Sequence, residues 1–462
     1  MDTAAAFIAL NRFGLGARPG DLDAVRDDPR GWVLCQLRAP SAPLIAGIQD
    51  SPGRFHALEA FRKAKVEADR AEAAALAQNP PPQPTPAQPQ PLKPPPTGAL
   101  ANPPGKLHDT DVFRRADHMA ASDTPVLERL AAFWSNHFSV SATRDEVIVT
   151  AVPYENEAIR ANMLGSFRDL LAAAAGHPAM LYYLDEAASI GPDSPIGKLR
   201  HRAVNENFAR EVMELHTLGV NGGYGQKDVE SLALALTGMG VDNQDGEAAY
   251  FADRHEPGPR SVLGRSLPAG AGQGEAALDM LARHPNTIRR ICTKLAAHFT
   301  GAAPPRALTA RLIQAWRSSG GDLRQIYLAL AASPELWAPR PLKYRTPQDF
   351  VLAAGRALNL RGRGRDLVNE QRGLGQAPFR APAPTGWPDG DADWIDPAGM
   401  LGRVASAQRL AGLAKPPPDA VELLGQVVPV TEDSPTLDVL LTERDPRRAL
   451  ALALAAPEFQ KR

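Results

Sequence analysis

Apolar residues recur at three- and four-residue spacings along most of the chain, and nowhere do several alternating β-branched runs stand between hairpin turns. This pattern predicts a mainly α protein, a large multi-helix body. Thr124-Pro125 opens the strongest case, an N-cap followed by proline at the first helical position. Leu127, Leu130, Phe133, Trp134, His137 and Phe138 then line one apolar face. The same periodicity predicts helices over 156–175, 205–218, 227–237, 274–282, 287–299, 306–319, 323–332, 347–358 and 397–413, with Gly219 as the C-cap of the second. Near the start, Phe7, Leu10 and Phe13 share a helical face, Gly14 and Gly16 interrupt it, and Asp21 precedes a short helix through Ala24 and Val25. The glycine-rich stretch 238–264, with Ala249-Tyr250-Phe251 inside it, is the place for one short β-hairpin or irregular flap.

Proline changes this picture at one place. Residues 79–105 hold 12 of the 44 prolines, and such a segment neither packs a core nor pairs as a strand. It is expected to be a disordered, polyproline-like insertion or linker. Ahead of it, 57–78 is Ala-rich, charged and weakly periodic, and so reads as a solvent-exposed helix. The expected organisation is a helical lead-in, 1–78, packing on a main helical domain, 106–462, with the proline-rich segment between them.

The 462 residues carry 51 Lys+Arg against 52 Asp+Glu, a net charge of −1, so no global field draws the chain to nucleic acid or to an anionic membrane. No apolar run reaches the roughly 18 residues of a membrane span. The two cysteines, Cys35 and Cys292, form no metal-binding or disulfide pattern. The opening Met1-Asp2-Thr3 lacks the positive charge of an export signal, so as written the chain reads as cytoplasmic.

The most informative stretch runs from Asn205 to Gly219. At about 100° per residue and with Glu206 at zero, Arg210 falls at about 40°, Glu214 at about 80°, Asn207 at about 100°, Glu211 at about 140° and His216 at about 280°. Glu206, Arg210 and Glu214 therefore form an i, i+4, i+8 ladder with Glu211 beside it, while His216 points elsewhere. The ladder reads either as ion pairs on a helix face or as a buried carboxylate–guanidinium site. His137 sits on the apolar stripe beside Trp134, as a core histidine or as a base or metal ligand facing Glu211 and Glu214. Glu155, Glu157 and Arg160 read as capping residues of the next helix. His255 reads as a surface histidine on the flap, and Asp349 and Trp387 as loop and packing elements. Gly14-Leu15-Gly16 and Asn221 to Gly225 follow no strand and match no phosphate-loop pattern, so both read as turns.

The segment Asn205-Glu206-Asn207-Phe208-Ala209-Arg210-Glu211 leading into Glu214-Leu215-His216-Thr217-Leu218-Gly219 resembles the bacterial family called domain of unknown function 1800. The resemblance extends to Arg12-Phe13-Gly14, Phe133 to Phe138 with Asn136 and His137, Asn156, Arg160, Thr237-Gly238, His255 and Gly386-Trp387-Pro388. It implies no reaction, cofactor or catalytic residue. It does imply an exported bacterial protein paired with a sulfatase-like partner. The chain departs from the family at Ser135, where a further histidine is common, and at Met239, where tryptophan is common. The first departure weakens a histidine-pair metal site.

Two function classes follow. One is a partner-binding or scaffold protein with a structural carboxylate–arginine network. The other is a hydrolase, metal-assisted in one version, in which His137, Glu211 and Glu214 supply ligands or acid–base groups and Arg210 holds an anionic group. Asn136, Arg160, Asn205, Glu206, Asn207, His216 and His255 are further candidates. No cofactor is named by any motif.

Overall fold

Proline and short polar side chains punctuate the helices. Pro125, Pro285, Pro347 and Pro397 each stand in a first helical turn, where the missing N–H costs nothing. Asp28, Ser166, Thr346 and Asp445 cap theirs by accepting backbone N–H groups. In the computed structural model, residues 2–78, 97–200, 204–340 and 343–462 are described, and among them are 22 α-helices and two small antiparallel sheets. The mainly α expectation holds. The stretch 238–264 contains a hairpin pairing Met239–Val241 with Ala248–Tyr250, and a second pairs Arg260–Val262 with Arg265–Leu267 just past its end.

Several boundaries differ from expectation. The helix expected over 156–175 is two pieces. The chain runs unbroken from Asp145–Tyr154 into a π-helical turn, Glu155–Arg160, and turns at 163–165 before Ser166 caps Phe167–Gly176. The exposed helix begins earlier, spanning Ser51–Gln78, and its first turns are anchored by buried Arg54, Phe55 and Leu58. Pro104 starts the helix Pro104–Ala121, which intrudes on the end of the expected linker. Within the same expected linker, Gly98–Ala101 form a 3-10 turn, and 79–96 lies outside the described residues. Among the described residues, no helix is long and apolar enough to cross a membrane.

One hydrophobic cluster takes in residues from Ala6 to Phe459. The N-terminal helix Thr3–Ile8, extended by a π-turn at Ala9–Phe13, lies against Pro29–Leu37, and its π-turn reaches Pro125–His137. Far along the chain, Pro397–Leu413 and Pro446–Ala455 form the most extensive helix pair. A third π-turn, Val212–Thr217, continues the helix Glu206–Glu211. Such widened turns displace side chains from the 3.6-residue rows and often occur at functional positions. Each of the three carries buried polar groups: Arg12, the pair Glu155 and Arg160, and His216.

The Glu155 and Arg160 pair corrects the capping expectation, because no helix begins there. Arg160 is fully enclosed, with Nη2 at 2.7 Å from Glu128 Oε2 and Nε donating to Glu155 Oε1 at 3.0 Å. Arg115 Nε donates to Glu155 Oε2 at 2.7 Å, Ser135 Oγ to the same oxygen at 2.9 Å, and His118 Nε2 stands 3.0 Å from Glu128. Glu157 instead accepts from Ser51 and pairs with His177 at 2.7 Å. Burial opposes ionisation of Glu128, but Arg160 and His118 outweigh it and hold the carboxyl down to about 2.

Replacing Arg160 with Met strands two buried carboxylates, and guanidinium denaturation should show a loss of about 3–5 kcal/mol. Glu128 has a folded pKa below its ordinary 4.5, so its contribution is full above that pH and is lost as pH falls from 4.5 toward about 2. A Glu128→Gln variant, though less stable near neutrality, should show a shallower acid dependence of stability in that window.

Candidate functional site

The helix Pro285–Thr300 carries Arg290, Lys294 and His298 at four-residue spacing, so three basic groups share one face. That face meets two helix ends. The first belongs to the helix that finishes with the π-turn Val212–Thr217. Carbonyls at the end of a helix have no intrahelical donor, and cationic or donor side chains are favoured there. Arg290 Nη2 donates to the Leu215 carbonyl at 3.1 Å, and His137 Nε2 donates to the His216 carbonyl at 3.2 Å. Gly219, at φ +93°, then turns the chain away.

The second is the end of Pro125–His137. There the Lys294 ammonium lies 3.1 Å from His137 Nδ1 and donates to it, which fixes the hydrogen of His137 on Nε2. Burial first, then Lys294 and His216, push the His137 imidazole well below its usual pKa, so it is neutral. Burial and Arg290 bring Lys294 down to about 8, against the pull of Asp389. Phe133 stacks on His137 with ring centroids 6.3 Å apart and tilts against His298 at 5.3 Å.

One residue earlier, Asn136 fastens a distant loop to the same helix end. Its Oδ1 accepts from Trp387 N at 2.7 Å and its Nδ2 donates to the Trp387 carbonyl at 2.9 Å. Gly386 makes this close approach feasible: its φ is +80°, and a Cβ there would collide with the Asn136 carbonyl. The loop thereby delivers Asp389, whose Oδ2 lies 3.1 Å from His298 Nδ1 and whose Oδ1 lies 2.5 Å from Lys343 Nζ. Burial works against the Asp389 carboxylate, but His298 and Lys343 hold it well below the usual range. His298, desolvated, falls to about 4. A neutral ring with Nδ1–H directed at Asp389 has its lone pair on Nε2, and that buried Nε2 has no hydrogen-bond partner among the described residues.

Phe133, Asn136, His137, Lys294, His298 and Asp389 line a chamber of about 120 Å³. A smaller one of about 70 Å³ shares Asn136, His298 and Asp389 and adds Arg129, Gln348 and Asp349. Asp349 corrects the loop reading, since it lies in the helix Pro347–Ala357, buried between Arg129 Nη1 at 3.1 Å and Arg462 Nε at 2.9 Å. Trp387 is likewise part of the site's framework through its backbone.

Of the residues expected from sequence, Asn136, His137 and His216 meet here. His216 is wholly buried, with neither ring nitrogen hydrogen-bonded to any of the described residues. The carboxylate ladder follows another face. Arg210 pairs with Glu206 at 3.1 Å and with Gln226 at 2.9 Å, Tyr224 Oη donates to Glu214 at 3.4 Å, and Glu211 is half-buried. Burial and then Glu214 raise the Glu211 pKa. Asn205 caps its helix by accepting from Asn207 N at 2.8 Å, and Asn207 itself is exposed. Arg160 belongs to the enclosed network. His255 is buried rather than on the surface, with Nδ1 2.7 Å from the Thr237 carbonyl and its ring 5.7 Å from that of Tyr250. Sequence reading missed Lys294, His298, Lys343 and Asp389. The four-residue spacing of Arg290, Lys294 and His298 was the available signal, and Asp389 directly follows Gly386-Trp387-Pro388. Among the described residues, no three His, Cys, Asp or Glu side chains are grouped so as to hold a metal ion.

The chain belongs to the DUF1800 family, described as a protein of unknown function, whose sequence model matches residues 8–461. No curated protein and no solved structure matches it.

Long-range nitrogen–proton NMR should find His298 as the neutral Nδ1–H tautomer from pH 8 to about 5, titrating near 4. Because the folded pKa lies below the ordinary 6.5, stability from this group is full above 6.5 and falls as pH drops toward 4. A ring titrating near 6.5 in the folded protein contradicts the arrangement.

Proposed function

We propose that this DUF1800 protein is an acid–base enzyme of hydrolytic type acting on a small polar anion in the chamber beside His298. The observation that carries this reading is the unpartnered Nε2 of a neutral imidazole whose Nδ1 is held by Asp389. Such a nitrogen accepts a proton from water as the water oxygen attacks an electrophilic centre, and returns it to the leaving group. Asp389, anchored by Lys343, orients the ring and stabilises the transient imidazolium. The Lys294 ammonium, kept in place by His137, holds the substrate's anionic group or the oxygen on which charge develops. His137 thus stays in the site, and the working groups shift from Glu211 and Glu214 to the basic face of Pro285–Thr300.

The rival reading, a scaffold that binds a partner such as a sulfatase-like protein, draws support from a different feature. Ile395, Met400, Leu401 and Val404 are exposed around the start of Pro397–Leu413, and the Glu128–Arg160–Glu155 network is structural.

The test is a panel of small anionic esters, amides and phosphate monoesters with chromogenic leaving groups. His298→Gln should lower kcat by about 10²–10⁴-fold, Lys294→Met should raise KM, and Glu211→Gln should leave both unchanged. His298 must be neutral and Lys294 charged, so kcat/KM should rise with pH through about 4 and fall through about 8. Turnover that persists in His298→Gln places the reaction elsewhere, and an inert panel favours the scaffold.

A further inference from the structure

A second cavity, of about 290 Å³, lies between the N-terminal helix and the segment around 428–431, away from His298 and Lys294. Its walls are mainly apolar, from Phe7, Ile8, Val428 and Pro429, and Arg12 lies at its lining. Arg12 is nearly fully buried. Its Nη1 donates to the carbonyls of Leu336 and Ala338, the latter at 3.0 Å, and Nη2 to that of Arg340 at 2.7 Å. Its Nε has no acceptor among the described residues.

A buried guanidinium normally has a carboxylate, since leaving its charge uncompensated is costly. Among the described residues Arg12 has none, and neither does Arg345, which reaches Asn11 Oδ1 at 2.6 Å while its own Nη1 is unsatisfied. Burial first, and then the Arg462 guanidinium, itself paired with Asp349, pull Arg12 down to about 10. The lining carboxylate, Glu458, is already engaged by Ser434 at 2.6 Å and Thr436 at 3.0 Å. A largely apolar cavity whose lining includes buried Arg12 and exposed Lys461, neither paired with a carboxylate among the described residues, selects a ligand of matching polarity: an anionic head and an apolar body.

We propose that this cavity binds an aliphatic monocarboxylate, its head against Arg12 and its chain between the Phe7–Ile8 and Val428–Pro429 walls. The assignment is independent of any reaction at His298.

Hexanoate is the probe, with hexanol and hexylammonium as controls, titrated calorimetrically into the full chain. Saturable one-to-one binding of hexanoate, accompanied by a concentration-dependent rise in Tm, is expected, with neither from the two controls. Ala4 is exposed and lines the same cavity, so Ala4→Trp should fill it, keep the Tm of the free protein and weaken hexanoate by at least about tenfold. Arg12→Gln should lose the preference for hexanoate over hexanol. Absence of hexanoate binding, equal binding of hexanol, or undiminished binding in the folded Ala4→Trp variant each overturns the proposal.

Discussion

A guanidinium stays protonated near neutral pH, so each buried arginine obliges the fold to bring acceptors to it. Arg160 shows the consequence most fully. Its acceptors come from Glu128 on one helix and Glu155 on the next, and Glu155 also receives Arg115 from a third. Three consecutive helices are thereby locked in one relative setting before any site is considered. Arg356 does the same without relying chiefly on a carboxylate, reaching the carbonyls of Gly16, Ala120 and Ser122 at 2.7, 3.2 and 2.9 Å. Backbone carbonyls at turns and helix ends are the cheapest acceptors available, because they have no partner inside the helix.

The same rule shapes the candidate site. Arg290 and His137 satisfy the last carbonyls of the helix that ends in the π-turn Val212–Thr217, and this brings Lys294 and His298, on the Arg290 face, to the end of Pro125–His137. Asn136 then fixes the loop that supplies Asp389. Structural satisfaction and chemical geometry are one arrangement here: the groups that close off helix ends are neighbours of the groups with displaced pKa values. The displacement has one dominant cause, burial, which lowers His137, His298 and Lys294 together and keeps a histidine neutral and a lysine close to its titration point.

Periodicity made the helices legible, since an apolar stripe at 3.6-residue spacing states its own structure, as in Pro125–His137. It could not reveal the three π-turns, where one extra residue per turn leaves the apolar spacing nearly intact but rotates everything after it. The angular placement of His216 in sequence assumed 100° per residue throughout, and Val212–Thr217 departs from that. Burial of polar residues was equally hidden. Glu155 and Arg160 looked like helix-start charges because the sequence shows neither Glu128 nor Arg115 beside them. The ladder of Glu206, Arg210 and Glu214 drew attention by its density of charge, yet dense charge marks a solvated face more often than a site. The sparser set, Arg290, Lys294 and His298 one helical turn apart on a helix that buries Ile291, Cys292 and Leu295, is what a desolvated site requires.

Charge placement also explains why the two cavities differ in kind although the chain is nearly neutral overall. Around His298, Arg129 and Arg462 share the single carboxylate of Asp349 and Lys343 pairs with Asp389, while Lys294 and Arg290 have no carboxylate at ion-pair distance among the described residues. The chamber therefore carries, on Lys294, positive charge on an amine near its titration point, which suits a group that must engage charge as it develops during a reaction. Around Arg12 the excess is permanent near neutral pH, because a guanidinium keeps its proton there and neither Arg12 nor its neighbour Arg345 is paired with a carboxylate among the described residues. A permanent excess inside apolar walls cannot be removed by proton loss. It can be removed by an anion, which places binding at the Arg12 cavity and proton transfer at the His298 chamber.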